Sequence, residues 1–187
     1  MIHEWRTYRL KAGAASEYLT LFADEGLPLV SRHLPLMGYW LGETGPLNTL
    51  YHLWSYVDWS EREACRASLA TEEAWVKGFI PRAFALVEEQ HNRFFTATAT
   101  SPVFAEALSR RHMPLPARSE GAPLFAATCA GLVIGGAADD AVAVWDAVTG
   151  DRGGPVSLLQ RSVDPVPHAG SIAGSHIILR PLAFSPL

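Results

Sequence analysis

The opening segment, residues 2–10 (IHEWRTYRL), constrains the fold more than any other stretch of the chain. It alternates between residue types and is rich in aromatic and β-favouring residues, which predicts a β-strand. One face of that strand would carry Ile2, Glu4, Arg6, Tyr8 and Leu10, and the other would carry His3, Trp5, Thr7 and Arg9. A strand with one face in water has a polar side and an apolar side. Both faces here mix large apolar and polar groups, so we expect each face to be covered by another layer of the protein.

The first hundred residues contain the signals of a β-α-β-β-α-β order. The predicted elements are strand 2–10, helix 14–33, strands 36–43 and 47–57, helix 58–69 continued through 81–90, and strand 91–98. Pro28 lies inside the first helical pattern and predicts a kink near Leu27. Asp58 and Glu61 have the spacing of a capping box at the start of the second helix. This order is that of the ferredoxin-like fold, which places the chain in the α+β class.

The second half of the chain has a different composition and a weaker pattern. Glycine and proline together rise from 10 in the first 100 residues to 18 in the last 87. The predicted elements are helix 101–111, strand 124–134, a helix from Asp139 or Asp140 to Val148, and strands 155–163 and 176–184. We therefore predict a ferredoxin-like domain over residues 1–100, a helix and linker over 101–122, and a shortened second copy over 123–187.

Composition and charge exclude several classes of protein. The formal net charge is −4, which has the wrong sign for a protein that binds nucleic acid by neutralising phosphates. No apolar run is long enough to predict membrane insertion, and the N-terminus lacks a signal-peptide pattern, so we expect a cytoplasmic protein. The two cysteines, Cys65 and Cys129, do not form a disulfide framework, and the seven histidines show no metal-binding spacing. We expect neither a metal nor a cofactor.

Polar and aromatic residues on three predicted strands outline a candidate ligand site. Arg6 and Tyr8 share a face of the first strand with Glu4, and His52 and Trp54 share a face of the third strand. Trp40 and Asn92 are placed to complete a pocket for a flat apolar ligand, with His52 as acid or base. Three other interpretations stay open: Glu4 and Arg6 as a structural ion pair, His52 as a hydrogen-bonded core histidine, and Trp40 and Asn92 as anchors of strand ends.

Short motifs spread over the first hundred residues resemble the NIPSNAP family of the dimeric α+β barrel superfamily. They are residues 4–8 (EWRTY), 11–13 (KAG), 26–29 (GLPL), 32–33 (RH), 38–40 (GYW), 45–48 (GPLN), 52–56 (HLWSY) and 92–93 (NR). The resemblance implies two four-stranded sheets that meet face to face, with helices outside. The second sheet would come either from residues 124–184, as an intrachain pseudo-dimer, or from another copy in a homo-oligomer.

The resemblance implies a fold more than a reaction, since no activity of the family is settled. Other branches of the superfamily include cofactor-free oxygenases, isomerases and haem proteins, and transfer from them is analogy at the level of fold. One hypothesis is a pocket between sheet and helices that binds a small apolar or aromatic molecule, in a cofactor-free oxygenase, an isomerase or a binding protein. The alternative is a non-enzymatic interaction or scaffold protein that uses the barrel for assembly. No catalytic residue can be assigned from the sequence.

Overall fold

The N-terminal half has the predicted β-α-β-β-α-β order, which confirms the α+β fold. The computed structural model describes residues 1–150 and 153–187. The strands are β1 (Ile2–Leu10), β2 (Leu36–Gly42), β3 (Thr49–Tyr56), β4 (Val87–Thr100), β5 (Ala130–Ile134), β6 (Ala143–Ala147), β7 (Val156–Leu158) and β8 (Ser175–Pro181). The helices are α1 (Ala15–Leu21), α2 (Leu27–Val30), α3 (Trp59–Ala70), α4 (Ile80–Phe84), α5 (Pro102–Ser109) and α6 (Val166–Gly170), with π-helical turns at Phe22–Gly26 and Ala74–Phe79.

The eight strands form one closed barrel within a single chain. Around the barrel the order is β1-β3-β2-β8-β5-β7-β6-β4. The N-terminal strands therefore run β4-β1-β3-β2, and the C-terminal strands repeat the same relative order as β8-β5-β7-β6. Two antiparallel seams, β2 with β8 and β4 with β6, join the two sheets. The second sheet thus comes from the same chain.

Aromatic side chains fill the interior of the barrel. The rings of Trp5 and Trp40 stack with centroids 5.4 Å apart, and Trp145 meets Trp5 edge-on at 5.7 Å. Phe95 and Phe104 belong to the same buried cluster. Because side chains alternate along a strand, the residues of β1 that flank Trp5 point away from the barrel, towards the helices. Both faces of β1 are therefore covered, as the mixed pattern of residues 2–10 predicts.

The helices of the N-terminal half cover the outer face of its sheet. Tyr18, Phe22 and Leu27 of the first helical segment pack with Phe79 of the second in one buried cluster. The predicted kink near Leu27 follows the π-helical turn at Phe22–Gly26. A Cβ atom at Gly26 would lie 2.6 Å from the ring of Phe79, so glycine allows this close approach of the two segments.

The predicted helix ending at Val148 is wrong. Residues Ala143–Ala147 form β6, which pairs with β4 and β7. Val142, Trp145 and Val148 have a helix-like spacing, but alternation along the strand turns Ala143 and Trp145 into the barrel, where both are fully buried. Burial of the indole in the barrel prevails over the helical pattern.

Other predicted elements are shorter or end elsewhere. The second helical segment ends at Phe84 instead of residue 90, because the chain from Val87 onward pairs with β1. The strand predicted over residues 124–134 is regular only at Ala130–Ile134. Residues 112–123 contain neither helix nor strand, as predicted, and Arg118 holds them to the N-terminal half through bonds of 2.9 and 3.1 Å to Asp24.

Candidate functional site

A cavity of about 230 Å³ lies between the outer face of the N-terminal sheet and the helices that cover it. Its floor comes from β1, β2 and β3, and its roof from the helical segments before β2 and before β4. Its aromatic walls include Tyr18, Phe22, Tyr39, Trp54, Trp75 and Phe79. Arg6, Tyr8 and His52 supply polar groups, and Arg66 lies on its exposed side. The cavity therefore combines apolar walls with a few polar groups, as ligand sites do.

Glu4 lies on the same face of β1 as Arg6 and Tyr8, and its side chain is completely buried. Its carboxylate accepts hydrogen bonds from Arg62 at 3.0 and 3.1 Å, from Arg6 at 3.2 Å and from Asn92 at 2.8 Å. Burial alone would raise the pKa of Glu4, but the hydrogen bonds from Arg62 and the charges of Arg6 and Arg62 together lower it. Glu4 is therefore an ionised structural group that holds Arg6 in place.

Arg6 connects this buried ion cluster to the cavity. One terminal nitrogen donates to the Tyr8 hydroxyl oxygen at 2.9 Å, and the guanidinium lies 5.4 Å from the centre of the Tyr8 ring. Since the Tyr8 oxygen accepts this bond, its own proton is left to donate to another group. Arg6 and Tyr8 thus present a cation and a hydroxyl donor at the same side of the cavity.

His52 is held in one defined protonation state. The Trp54 indole nitrogen donates to His52 Nδ1 at 2.7 Å, and an indole N–H is only ever a donor. His52 Nδ1 is therefore unprotonated, and the neutral ring carries its proton on Nε2. Burial, with the nearby charge of Arg6, holds the pKa of His52 well below its usual range. The ring is a neutral donor that packs against Tyr39 at 4.9 Å and Tyr8 at 4.7 Å.

The Nε2–H group of His52 has no hydrogen-bond partner among the residues that the structure describes. A buried donor without a partner costs about 1–3 kcal/mol. A ligand acceptor that reaches Nε2 would recover that energy, and neighbouring side chains must shift to admit it, because Nε2 has almost no exposed surface. The Tyr39 hydroxyl also lacks a hydrogen bond of regular geometry within the described ranges, although Tyr18 lies beside it. Burial and the neighbouring Tyr18 hydroxyl raise the pKa of Tyr39, which keeps it protonated.

Four of the six residues proposed from the sequence line this cavity: Arg6, Tyr8, His52 and Trp54. Trp40 does not, because strand alternation turns it into the barrel against Trp5. Asn92 is exposed and bonds to Glu4, so it supports Arg6 without lining the cavity. Whether these side chains bind a ligand stays a prediction.

Sequence reasoning missed Tyr39, Arg66 and the aromatic residues of the roof. Tyr39 lies opposite His52 in the β2–β3 register. Because side chains alternate along β2, Tyr39 faces the cavity and its neighbour Trp40 faces the barrel interior. Choosing between these neighbouring aromatic residues required that register. Tyr18 and Phe22 have the spacing of an apolar stripe on the first helix, which indicates a buried face but not the cavity beneath it.

Other types of site find no support in the described part of the chain. No group of three or more His, Cys, Asp or Glu side chains within residues 1–150 and 153–187 could hold a metal ion. Among the same residues, no helix has the length and apolarity needed to cross a lipid bilayer.

Comparison with known proteins identifies the family. Residues 3–102 match the NIPSNAP family. An uncharacterised NIPSNAP domain protein of known structure from Burkholderia xenovorans is 37% identical, with a TM-score of 0.52 over 55% of this chain and 99% of that one. Human NipSnap homolog 3A is 32% identical over 93 residues, which cover 49% of this chain and 37% of that protein. The chain thus matches little more than a third of the length of that relative.

The whole barrel also has a structural counterpart. A candidate monooxygenase from Fusobacterium nucleatum aligns with 97% of this chain at a TM-score of 0.55 and 11% identity. At that identity the likeness extends to the fold alone. The family match covers more than half of the sequence, and the chain belongs to the NIPSNAP family.

Proposed function

We propose that this protein binds a small aromatic molecule in the cavity between the N-terminal sheet and its helices. The observation that carries the proposal is an aromatic-walled space beside a buried His52 donor that has no partner in the described residues. Most buried polar groups in proteins have a hydrogen-bond partner. The indole nitrogens of Trp5, Trp40 and Trp145 also lack one among the described residues, but those side chains lie in the filled barrel and do not line the cavity. His52 instead has one nitrogen fixed by Trp54 and the other left for an acceptor from outside the protein.

The volume limits the size of the ligand. Cavities of about 150 Å³ accommodate benzene, and sites for drug-sized ligands measure about 300–1,000 Å³. The cavity here, at about 230 Å³, lies between these values and suits one ring or two fused rings. Burying about 150 Å² of apolar ligand surface against the aromatic walls would contribute about 4 kcal/mol. Such a contribution gives useful affinity only if the polar groups also bind.

The space beneath the helices favours this proposal over the scaffold alternative. A purely structural domain should pair its polar residues with one another and leave no space among them. Glu4 follows that rule, since it accepts four hydrogen bonds from three residues. His52 does not, and it lies where the space is.

A cofactor-free oxygenase or isomerase is a second candidate, favoured by the type of polar group present. Both reactions pass through an enolate or phenolate, and Arg6, Tyr8 and His52 are all donors that would stabilise an oxygen anion. Turnover is tested by following oxygen uptake and product formation with small hydroxyaromatic substrates and no added cofactor. Binding without turnover would leave the protein as a binding protein.

Binding is tested by thermal shift and calorimetry with a panel of one-ring and two-ring aromatic compounds. We expect at least one compound to raise the melting temperature and to titrate with saturable heat. Val30 lines the cavity and is buried, so Val30→Phe should fill the space and abolish binding. Val163 is 84% exposed, and Val163→Phe is the matched control that should bind as the wild type does. If no compound binds, or if Val30→Phe binds equally well, the proposal fails.

A further inference from the structure

The polar end of the cavity offers hydrogen-bond donors and a positive charge. Arg6 contributes a guanidinium, Tyr8 a hydroxyl whose oxygen is already accepting, and His52 an Nε2–H. Two arginines, Arg6 and Arg66, line the cavity, and no carboxylate lines it among the described residues. An oxygen that only accepts hydrogen bonds satisfies such a set, whereas an ammonium or amide N–H does not.

These donors are fixed before any ligand arrives. Trp54 sets the tautomer of His52 through the 2.7 Å bond to Nδ1. Glu4 and Tyr8 hold the guanidinium of Arg6 through bonds of 3.2 and 2.9 Å, and Asn92 in turn holds Glu4 at 2.8 Å. Groups already held in their bound positions lose little entropy on binding, so the arrangement favours one ligand chemistry over others.

The ion cluster behind the cavity is balanced in charge, so it adds no negative charge that would repel an anion. Glu4 and Glu63 carry two negative charges, and Arg6 and Arg62 carry two positive charges. Arg62 bonds to both carboxylates. Arg66, on the exposed side of the cavity, adds one positive charge from solvent.

Resting on the proposed function, we infer that the ligand is an aromatic acid, a one-ring or two-ring molecule whose carboxylate or phenolate oxygen binds His52, Arg6 and Tyr8. The ring system lies against the aromatic walls, and the anionic oxygen accepts from the histidine Nε2–H. Hydrogen bonds to a charged acceptor are stronger than those to a neutral one. The anion should therefore bind far better than ligands of the same shape without it.

The test compares three naphthalene derivatives by calorimetry: 2-naphthoate, 2-naphthamide and 2-naphthylmethylammonium. We expect 2-naphthoate to bind tightest, by about 10-fold over the amide and about 100-fold over the ammonium. Equal binding of all three would overturn the inference and leave the proposed function standing. If none of these probes and no compound of the wider panel binds, the proposed function itself fails.

Variants then locate the anionic oxygen. His52→Phe should weaken 2-naphthoate about 10- to 100-fold and weaken 2-naphthylmethylammonium much less, because only the acid uses the Nε2–H donor. Arg66→Gln should weaken the acid less than about 3-fold, because this exposed charge is screened by water. Unchanged binding of 2-naphthoate to a folded His52→Phe protein would overturn the inference.

A second variant covers the case in which His52→Phe does not fold. Trp54→Phe removes the bond that fixes the tautomer, so His52 can carry its proton on either ring nitrogen. The affinity of 2-naphthoate divided by that of 2-naphthamide should then fall several-fold. The ratio is used because a change in cavity shape affects both probes alike. An unchanged ratio in the folded Trp54→Phe protein would overturn the inference.

Discussion

Replacing Glu4 with glutamine should lower the free energy of unfolding by about 3–5 kcal/mol. The wild-type carboxylate is completely buried and accepts four hydrogen bonds from Arg62, Arg6 and Asn92. Glutamine keeps the shape but brings an NH₂ group against donors. It removes the counter-charge of Arg6 and leaves Arg62 with Glu63 alone. Removing one partner of a buried ion cluster costs more than the cluster itself contributes, because the remaining charges stay desolvated.

Urea denaturation at neutral pH measures this loss directly. A domain of this size changes its melting temperature by about 2–4 °C per kcal/mol, so the variant should melt about 6–20 °C lower. Glu73→Gln is the matched control, because Glu73 pairs with Lys77 at 2.8 Å with both side chains about three-quarters exposed. An exposed pair of this kind is worth about 0.3–0.5 kcal/mol.

The difference between wild type and Glu4→Gln should also depend on pH. The folded protein holds the pKa of Glu4 below its ordinary value of 4.5. The contribution of Glu4 to the free energy of unfolding is therefore complete above its unfolded pKa of 4.5. That contribution is lost as the pH falls through the lower pKa of the folded protein. The gap between the two proteins should narrow in acid. A variant within 1 kcal/mol of wild type at neutral pH would refute this account of the cluster.

Two further predictions concern the barrel. Burial lowers the pKa of His3 from 6.5 to about 4. Between these two pH values the unfolded chain therefore binds more protons than the folded protein. The contribution of His3 to the free energy of unfolding should be complete above pH 6.5 and fall by up to about 3 kcal/mol as the pH drops to 4. His3→Gln, measured by urea denaturation across that range, should flatten the dependence, and an unchanged slope would contradict the assignment. A Cβ at Gly38 would collide with the Trp40 ring, so Gly38→Ala should cost at least about 2 kcal/mol in thermal or urea unfolding. Gly78→Ala, where a Cβ meets nothing within 4 Å, should be neutral or slightly stabilising, and equal effects at both glycines would count against the packing argument.

Some secondary-structure elements could be predicted from the sequence because residues close together in the chain determine them. Residues 2–10 are rich in aromatic and β-favouring residues, and β1 has the predicted bounds. Asp58 caps α3 as predicted, and its side chain accepts from the Glu61 backbone nitrogen at 2.9 Å. In both cases the determining interactions lie within a few residues of one another in the chain.

Features that depend on register could not be predicted in the same way. Tyr39 and Trp40 are adjacent and both aromatic, and only the pairing of Tyr39 with His52 decides which of them meets the cavity. Trp145 fits a helical stripe and a strand equally well until β4 and β7 are placed beside it. The sequence also could not predict which nitrogen of His52 lacks a partner, because that depends on where Trp54 directs its indole N–H.

Closure of the barrel by one chain bears on how many ligands it can hold. Two identical copies closing such a barrel would carry two equivalent cavities, and each could influence the other. Here one polypeptide supplies both sheets, and its second half lays the five-residue helix α6 over its own outer face. The cavity between sheet and helices is lined by residues of the N-terminal half alone, so the stoichiometry should be one ligand per polypeptide, with a simple hyperbolic isotherm.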